Sequence, residues 1–218
     1  MITYRLHLIR HGIAVGNEEG RYMGQREDDP LSQDGKKQLE QLREEFTYPP
    51  VQKLYVSPLL RCTQTADILY PDTWQQALEE LKEFDFGDFG GKNIRELKDN
   101  PEFLKFIEGK TEDGRAPGGE STKEFNERCK QAVRIIFEDM MKNKITDVGV
   151  VTHGGVIMSM LSQLSLPRQN YYDWAVENGT GYTVLMTPAM WLRDEGVEVY
   201  HKIPYRIIEE EEGNTALE

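Results

Sequence analysis

The sequence predicts an α/β protein: a single domain with a mainly parallel sheet and helices on both faces. Two observations lead there. Short runs rich in Val, Ile and Leu alternate with segments of helical periodicity, the order that yields parallel strands and crossover helices. Two of those runs, residues 3–9 and 147–152, are each closed by a histidine followed by glycine, at His11-Gly12 and His153-Gly154. In an open α/β sheet, ligands sit beyond the carboxyl ends of strands. Two such turns converge only if their strands are neighbours, so the pattern speaks to topology and to a site together.

Residues 3–9, rich in Leu, Ile and Tyr, read as a buried strand. Leu31-Ser32 opens a helix in which Leu39, Leu42 and Phe46 recur at helical spacing, and Pro49-Pro50 stops it. Residues 53–56 form a short strand. Ser57-Pro58 then reads as an N-cap with proline at the first helical position, and the helix runs to about Leu69, ahead of Pro71. Residues 74–77 suggest another short strand. Residues 81–119 show little periodicity and are rich in glycine, with short helices around 94–98 and 102–107. An excursion of that length is usually functional. Ser121-Thr122-Lys123-Glu124 is a capping box, and the helix behind it puts Phe125, Cys129, Val133, Ile136 and Met140 on one face. Val148, Val150 and Val151 mark residues 147–152 as a central strand, followed by a helix over 156–164. Residues 181–186 and 197–201 read as late strands forming a hairpin. The domain spans 1–208, and 209–218 is an acidic tail expected to be disordered.

Composition limits the function. The chain has 218 residues with 29% charged and 38% hydrophobic, which fits one soluble globular domain. No apolar run approaches a membrane span, and the opening residues lead directly into a strand pattern, so no signal peptide is expected. Two cysteines, Cys62 and Cys129, are too few for a disulfide framework and suggest a reducing cytoplasm. A formal net charge of -12 opposes binding to nucleic acid or anionic membrane surfaces. An acidic protein that handles an anion then needs a local basic pocket.

The strand ends supply one. Arg10-His11 and His153 both lie at carboxyl ends of strands, and Gly154-Gly155 lets backbone N–H groups approach an anion at a helix start. Arg61 sits in the first turn of a helix, where a cation opposes the helix dipole unless an anion is bound there. Glu83 lies among aromatic residues in Leu81-Lys82-Glu83-Phe84-Asp85-Phe86. Desolvation would raise its pKa and suit it to proton donation, although Asp85 and Asp88 are rival acids. Local context leaves the choice among the three open.

Five blocks occur in the order seen in the histidine phosphatase superfamily, the phosphoglycerate mutase-like group. They are Arg10-His11-Gly12, residues 57–66, residues 83–87, Pro117-Gly118-Gly119-Glu120-Ser121 and Thr152-His153-Gly154-Gly155. The chain resembles that family up to about Thr187. The resemblance implies that His11 is the nucleophile that becomes phosphorylated. It implies that Arg10, Arg61 and His153 hold phosphoryl oxygens, that Glu83 is the proton donor, and that Asn17 touches the phosphate. The implied mechanism needs no cofactor: two arginines, with His153 if protonated, supply the positive charge. Two His and one Glu are a possible zinc set, but flanking arginines would repel a divalent ion, so no metal is expected.

The chain also departs from the family pattern. Ile13-Ala14 stands where Glu-Thr or Glu-Ser is usual, which removes a hydroxyl near the phosphate, and Phe89-Gly90-Gly91 replaces Trp-Glu-Gly. The spacing from Glu83 to His153 is shorter than in mutases, and Val15-Gly16-Asn17 lacks their tryptophan, which favours hydrolysis. Arg21-Tyr22-Met23-Gly24 with Asp29-Pro30-Leu31-Ser32 resembles the branch containing α-ribazole phosphatase, a cobalamin-pathway enzyme. Acidic Glu18, Glu19, Asp28 and Asp29 would repel polyphosphorylated esters. The expected partner is therefore a small-molecule phosphate monoester. A mutase and a noncatalytic phospholigand-binding protein are the alternatives.

Overall fold

Strand β4 (Asp147–Thr152) is buried at every position after Asp147. Such a strand needs cover on both faces, which only the middle of a sheet provides. In the computed structural model, which describes residues 2–209 and 215–217, β4 lies between β1 (Tyr4–Arg10) and β2 (Lys53–Val56). Beside β2 is β3 (Gln75–Ala77); beyond β1 lie β5 (Gly181–Met186) and β6 (Glu198–Ile203). The order is β3-β2-β4-β1-β5-β6. The first four strands are parallel, and β5 runs antiparallel to both neighbours.

Alternation along the strands divides the core between the two faces. Leu6, Leu8, Val148 and Val150 face α6 (Thr122–Asn143) and α7 (Gly154–Leu164). Ile9, Leu54, Val56 and Val151 pack with α2 (Gln33–Glu45) and α3 (Leu60–Leu69). The excursion carries α4 (Ile94–Leu97) and α5 (Pro101–Ile107) over a third cluster of Phe89, Leu97, Phe103 and Ala116. Two short helices complete the set: α1 (Val15–Glu18) after the first strand and α8 (Pro188–Asp194) after β5.

The capping box of α6 forms as expected: Ser121 accepts from the Glu124 N–H, and Glu124 accepts from the Ser121 N–H. Substituting such a cap costs ~1 kcal/mol. Fully burying one large apolar side chain contributes ~1.5–3 kcal/mol. Since Phe125, Val133, Ile136, Phe137 and Met140 are all buried, packing rather than the cap governs this helix.

Two expectations need correction. Ser57 does not cap α3. The helix begins at Leu60, with its N–H bonded to Asp28 Oδ1 at 2.6 Å, and Ser57 is used elsewhere. The late strands are antiparallel neighbours but not a tight hairpin, because α8 is inserted between them. In the tail, Thr215–Leu217 forms a strand (β8) antiparallel to Ile207–Glu209 (β7). Residues 210–214 and 218 of that tail lie outside the described residues. Among the described residues, no helix is long and apolar enough to cross a membrane.

Candidate active site

Register decides which side chains meet. Arg10 pairs with Thr152, so the next residues, His11 and His153, leave adjacent strands side by side. Their ring centroids lie 5.1 Å apart. On the other side of β4, the Ser57 N–H continues the ladder to Val151 O at 2.9 Å, which brings Ser57 to the same edge. Thr152 Oγ1 donates to Leu81 O at 2.8 Å and draws the segment carrying Glu83 across the strand ends.

His11 Nδ1 lies 2.6 Å from Gly12 O. A carbonyl only accepts, so Nδ1 carries the proton and Nε2 keeps its lone pair. Burial, with Arg61 and then Arg10 nearby, holds the imidazole well below its ordinary pKa, and it is neutral near pH 7. The loop is fixed by Gly12 N–H to Thr65 Oγ1 at 2.9 Å and by Asn178 Nδ2 to His11 O at 2.8 Å.

His153 is occupied on both nitrogens. Arg61 Nε donates to Nδ1 at 3.3 Å, so Nε2 carries the proton toward Ser57 Oγ at 2.8 Å. Burial and Arg61 hold its pKa well below the ordinary value, so the protonated His153 considered from sequence does not form here. Arg61 is itself 0% exposed. Its Nη1 and Nη2 donate to Glu27 O at 2.5 Å and Gly24 O at 2.9 Å. Cys62 Sγ lies 3.5 Å from His153 Nε2, and burial pushes that thiol up to about 12. It is therefore no rival nucleophile.

A cavity of about 270 Å³ opens beside His11, and Arg10, Asn17, Glu83 and Gly154 line it. Arg10 Nη1 donates to Val176 O at 2.7 Å, while its Nε is buried without a partner. A buried guanidinium N–H left unbonded is costly, and an anionic oxygen is the natural acceptor. Asn17 Oδ1 accepts from the Ala14 N–H at 3.1 Å, which leaves its amide donors toward the cavity. Glu83 accepts from the Phe84 N–H at 2.9 Å and the Gly155 N–H at 3.1 Å. Burial still raises its pKa against those two bonds. Burial acts the same way on Asp85, but Gly87 N–H, Gln25 and Arg26 outweigh it and hold that carboxyl down. Asp88 is exposed and does not line the cavity. Of the three acids, only Glu83 combines a raised pKa with a place in the cavity wall.

The structure thus gathers Arg10, His11, Asn17, Glu83 and Gly154 around one cavity. His153 and Arg61 do not line it; both are buried, His153 against His11 and Arg61 bonded to His153. Ser57, Thr65 and Asn178 support the site and were missed in the sequence, because each acts through a residue remote in the chain. Of the five phenylalanines of the excursion, Phe86 reaches the cavity wall, whereas Phe84, Phe89 and Phe103 are buried. Neither Ile13 nor Ala14 lines the cavity, and Ala14 is 0% exposed. Among the described residues, no group of three or more His, Cys, Asp or Glu is placed to hold a metal ion.

This arrangement offers a neutral imidazole lone pair, the Arg10 guanidinium with an unpartnered Nε and a carboxyl of raised pKa around one small cavity, with Arg61 buried behind it, a set suited to a phosphoryl group. Residues 6–192 match the family described as "Histidine phosphatase superfamily (branch 1)". A Klebsiella pneumoniae protein named "Probable phosphoglycerate mutase GpmB" is 31% identical, over 85% of this chain and 97% of its own. A Hydrogenobacter thermophilus protein with a provisional phosphoserine phosphatase name is 29% identical, over 80% of this chain and 85% of its own. The crystal structure of the α-ribazole phosphatase from Shigella flexneri superposes with a TM-score of 0.76 at 21% identity, covering 90% of this chain and 94% of that one.

Proposed function

Because this chain belongs to the histidine phosphatase superfamily, we propose that it is a metal-independent phosphomonoesterase working through a phosphohistidine at His11. One observation carries the reading. His11 Nε2 is left with its lone pair beside Arg10, whose buried Nε lacks a partner. The transferring phosphoryl spreads charge over its equatorial oxygens, so positioning and electrostatics dominate the chemistry. Arg10, the Asn17 amide and the Gly154 N–H bind those oxygens. Arg61 acts at the back of His11, adding positive charge while fixing His153.

In the first step the Nε2 lone pair attacks phosphorus in line, and the bond from phosphorus to the ester oxygen breaks. The departing alkoxide takes the proton of Glu83. The Nδ1–H of His11 stays on Gly12 O and stabilises the charged ring. In the second step water attacks phosphorus and gives a proton to the Glu83 carboxylate. The N–P bond then breaks, and its electron pair returns to Nε2. The products are the alcohol and inorganic phosphate.

A small monoester is the substrate class the cavity favours. Besides Arg10, the cavity is lined by Arg21, whose guanidinium is already engaged by Glu19, Glu96 and Gly91 O. That leaves no unpaired cation there, among the described residues, for a second phosphate. The likeness to the Shigella flexneri structure is one of fold, and α-ribazole 5'-phosphate is the first named ester to assay. The name of the Klebsiella pneumoniae relative favours a second reading, transfer between positions of a phosphoglycerate. The buried, free Cys62 and Cys129 support a reducing cytoplasm as the location.

A panel of phosphate monoesters assayed with EDTA present tests the proposal. Phosphate release from at least one ester, lost in His11→Ala, is expected. Isomerisation of phosphoglycerate faster than hydrolysis would replace it with the mutase reading. Phosphate binding without turnover of any ester would replace it with the noncatalytic one.

A further inference from the structure

The Glu83 side chain accepts two backbone N–H bonds, but a third agent fixes the segment that carries it. Arg128, on α6, uses all five of its N–H donors there. Its Nη1 donates to Glu80 O at 3.0 Å and Lys82 O at 2.7 Å. Its Nη2 donates to Glu83 O at 3.1 Å and Glu120 Oε1 at 2.7 Å, and Nε donates to Glu120 Oε2 at 3.3 Å. Glu120 is no passive counterion, because its Oε1 also accepts from the Asp85 N–H at 2.8 Å. The guanidinium lies 5.1 Å from the Phe125 ring centroid, and Phe84 packs edge-on against that ring. Residues 80–85 therefore hang from one saturated, largely buried cation. The rest of that turn has no regular secondary structure after the short 3₁₀ segment Glu79–Leu81.

We infer that Arg128, aimed by Glu120, is the positioning residue for the proton donor Glu83, an inference that rests on the phosphatase reading above. It touches neither substrate nor reacting atoms. Its effect falls on the steps in which Glu83 delivers or takes a proton, and in the first of them it has a signature a merely structural residue lacks. An alkyl phosphate needs the proton, because its alkoxide is a poor leaving group. A 2,4-dinitrophenyl phosphate does not, because its phenolate departs as the anion. kcat/KM covers only events through phosphorylation of His11, so the comparison is not blurred by the later hydrolysis step.

Arg128→Lys keeps the charge, but its three donors radiate from one nitrogen and cannot serve three carbonyls and a carboxylate together. Misplacing a catalytic group by ~1 Å can cost ~10²-fold. That loss is expected in kcat/KM for phenethyl phosphate, with little change in kcat/KM for 2,4-dinitrophenyl phosphate. Glu83→Gln sets the upper limit of the same pattern. Glu120→Gln, which removes the anion that aims the guanidinium, gives a smaller version and decides the matter if Arg128→Lys does not fold. Equal losses on both esters, or undiminished activity on both in a folded variant, would overturn the inference while leaving the phosphatase reading intact. Wild-type protein that hydrolyses neither ester would overturn both.

Discussion

Gly155→Ala separates the stability of this protein from its chemistry. Gly155 is the second residue of α7, and its N–H bonds to Glu83 Oε2 at 3.1 Å. A Cβ at that position would lie 2.4 Å from Glu83 Oε1 and 3.1 Å from the carboxyl carbon. Ordinary van der Waals contact begins at 3.4 Å, so the carboxyl oxygen must retreat by 1.0 Å (3.4 less 2.4). The fold can absorb that, because the displaced atoms end a flexible side chain. Alanine is also the better helix former, by ~0.8–1 kcal/mol in a helix interior and less in a first turn. The melting temperature should therefore hold or rise slightly. Catalysis cannot absorb the shift: a displacement of ~1 Å is worth ~10²-fold, or about 2.7 kcal/mol of transition-state stabilisation. Steady-state kcat/KM on an alkyl phosphate, with a thermal melt on the same preparation, measures both. Wild-type kcat/KM in the folded variant would refute the role given to Glu83. A large fall in melting temperature would refute the claim that only a side-chain tip is displaced.

The pH profile follows from the two shifted groups. Activity needs neutral His11 and protonated Glu83. Ordinary pKa values of about 6.5 and 4.3 would leave only ~0.5% of molecules in that form at best. Here burial lowers the imidazole and raises the carboxyl, so both shifts enlarge that fraction. kcat/KM, corrected for the ester's own second ionisation at about 6, should fall at acid pH below the usual histidine range. It should fall at higher pH above the usual glutamate range, and Glu83→Gln should abolish that second limb. An acid limb at the ordinary histidine pKa would contradict the burial argument. Ser57→Ala strands the buried Nε2–H of His153, and an unpaired buried donor costs ~1–3 kcal/mol. The urea midpoint should drop accordingly, and an unchanged midpoint would show that Cys62 or water replaces the hydroxyl.

How much of this was legible depended on the range of the interaction. The strand core was readable because Val148, Val150 and Val151 have no polar face to offer, and α6 because its cap and apolar stripe lie within one local segment. His11 and His153 were readable as a pair because each closes an apolar run. Ser57 was misread for the opposite reason. Ser-Pro is a good local cap, but the ladder bond to Val151 delivers the hydroxyl to a histidine 96 residues away, and Asp28 takes over the cap. Arg61 looked indifferent in sequence, since a cation in a first helical turn opposes the dipole. Its acceptors, Gly24 O, Glu27 O and His153 Nδ1, all belong to other elements. The charge state of His153 was equally hidden, since it follows from a donor that only the folded chain brings within reach. Local context could not separate Glu83 from Asp85 and only the family resemblance chose Glu83; the folded chain adds the physical reason, since Arg26 occupies Asp85.

The most direct test of the central claim is to trap the intermediate. Wild-type protein mixed with 2,4-dinitrophenyl phosphate, quenched in alkali within a turnover and digested, should yield one peptide carrying a phosphoryl group, located on His11. A phosphoryl group on His153, Ser57 or Cys62 would contradict the account, as would steady hydrolysis with no phosphorylated residue at all.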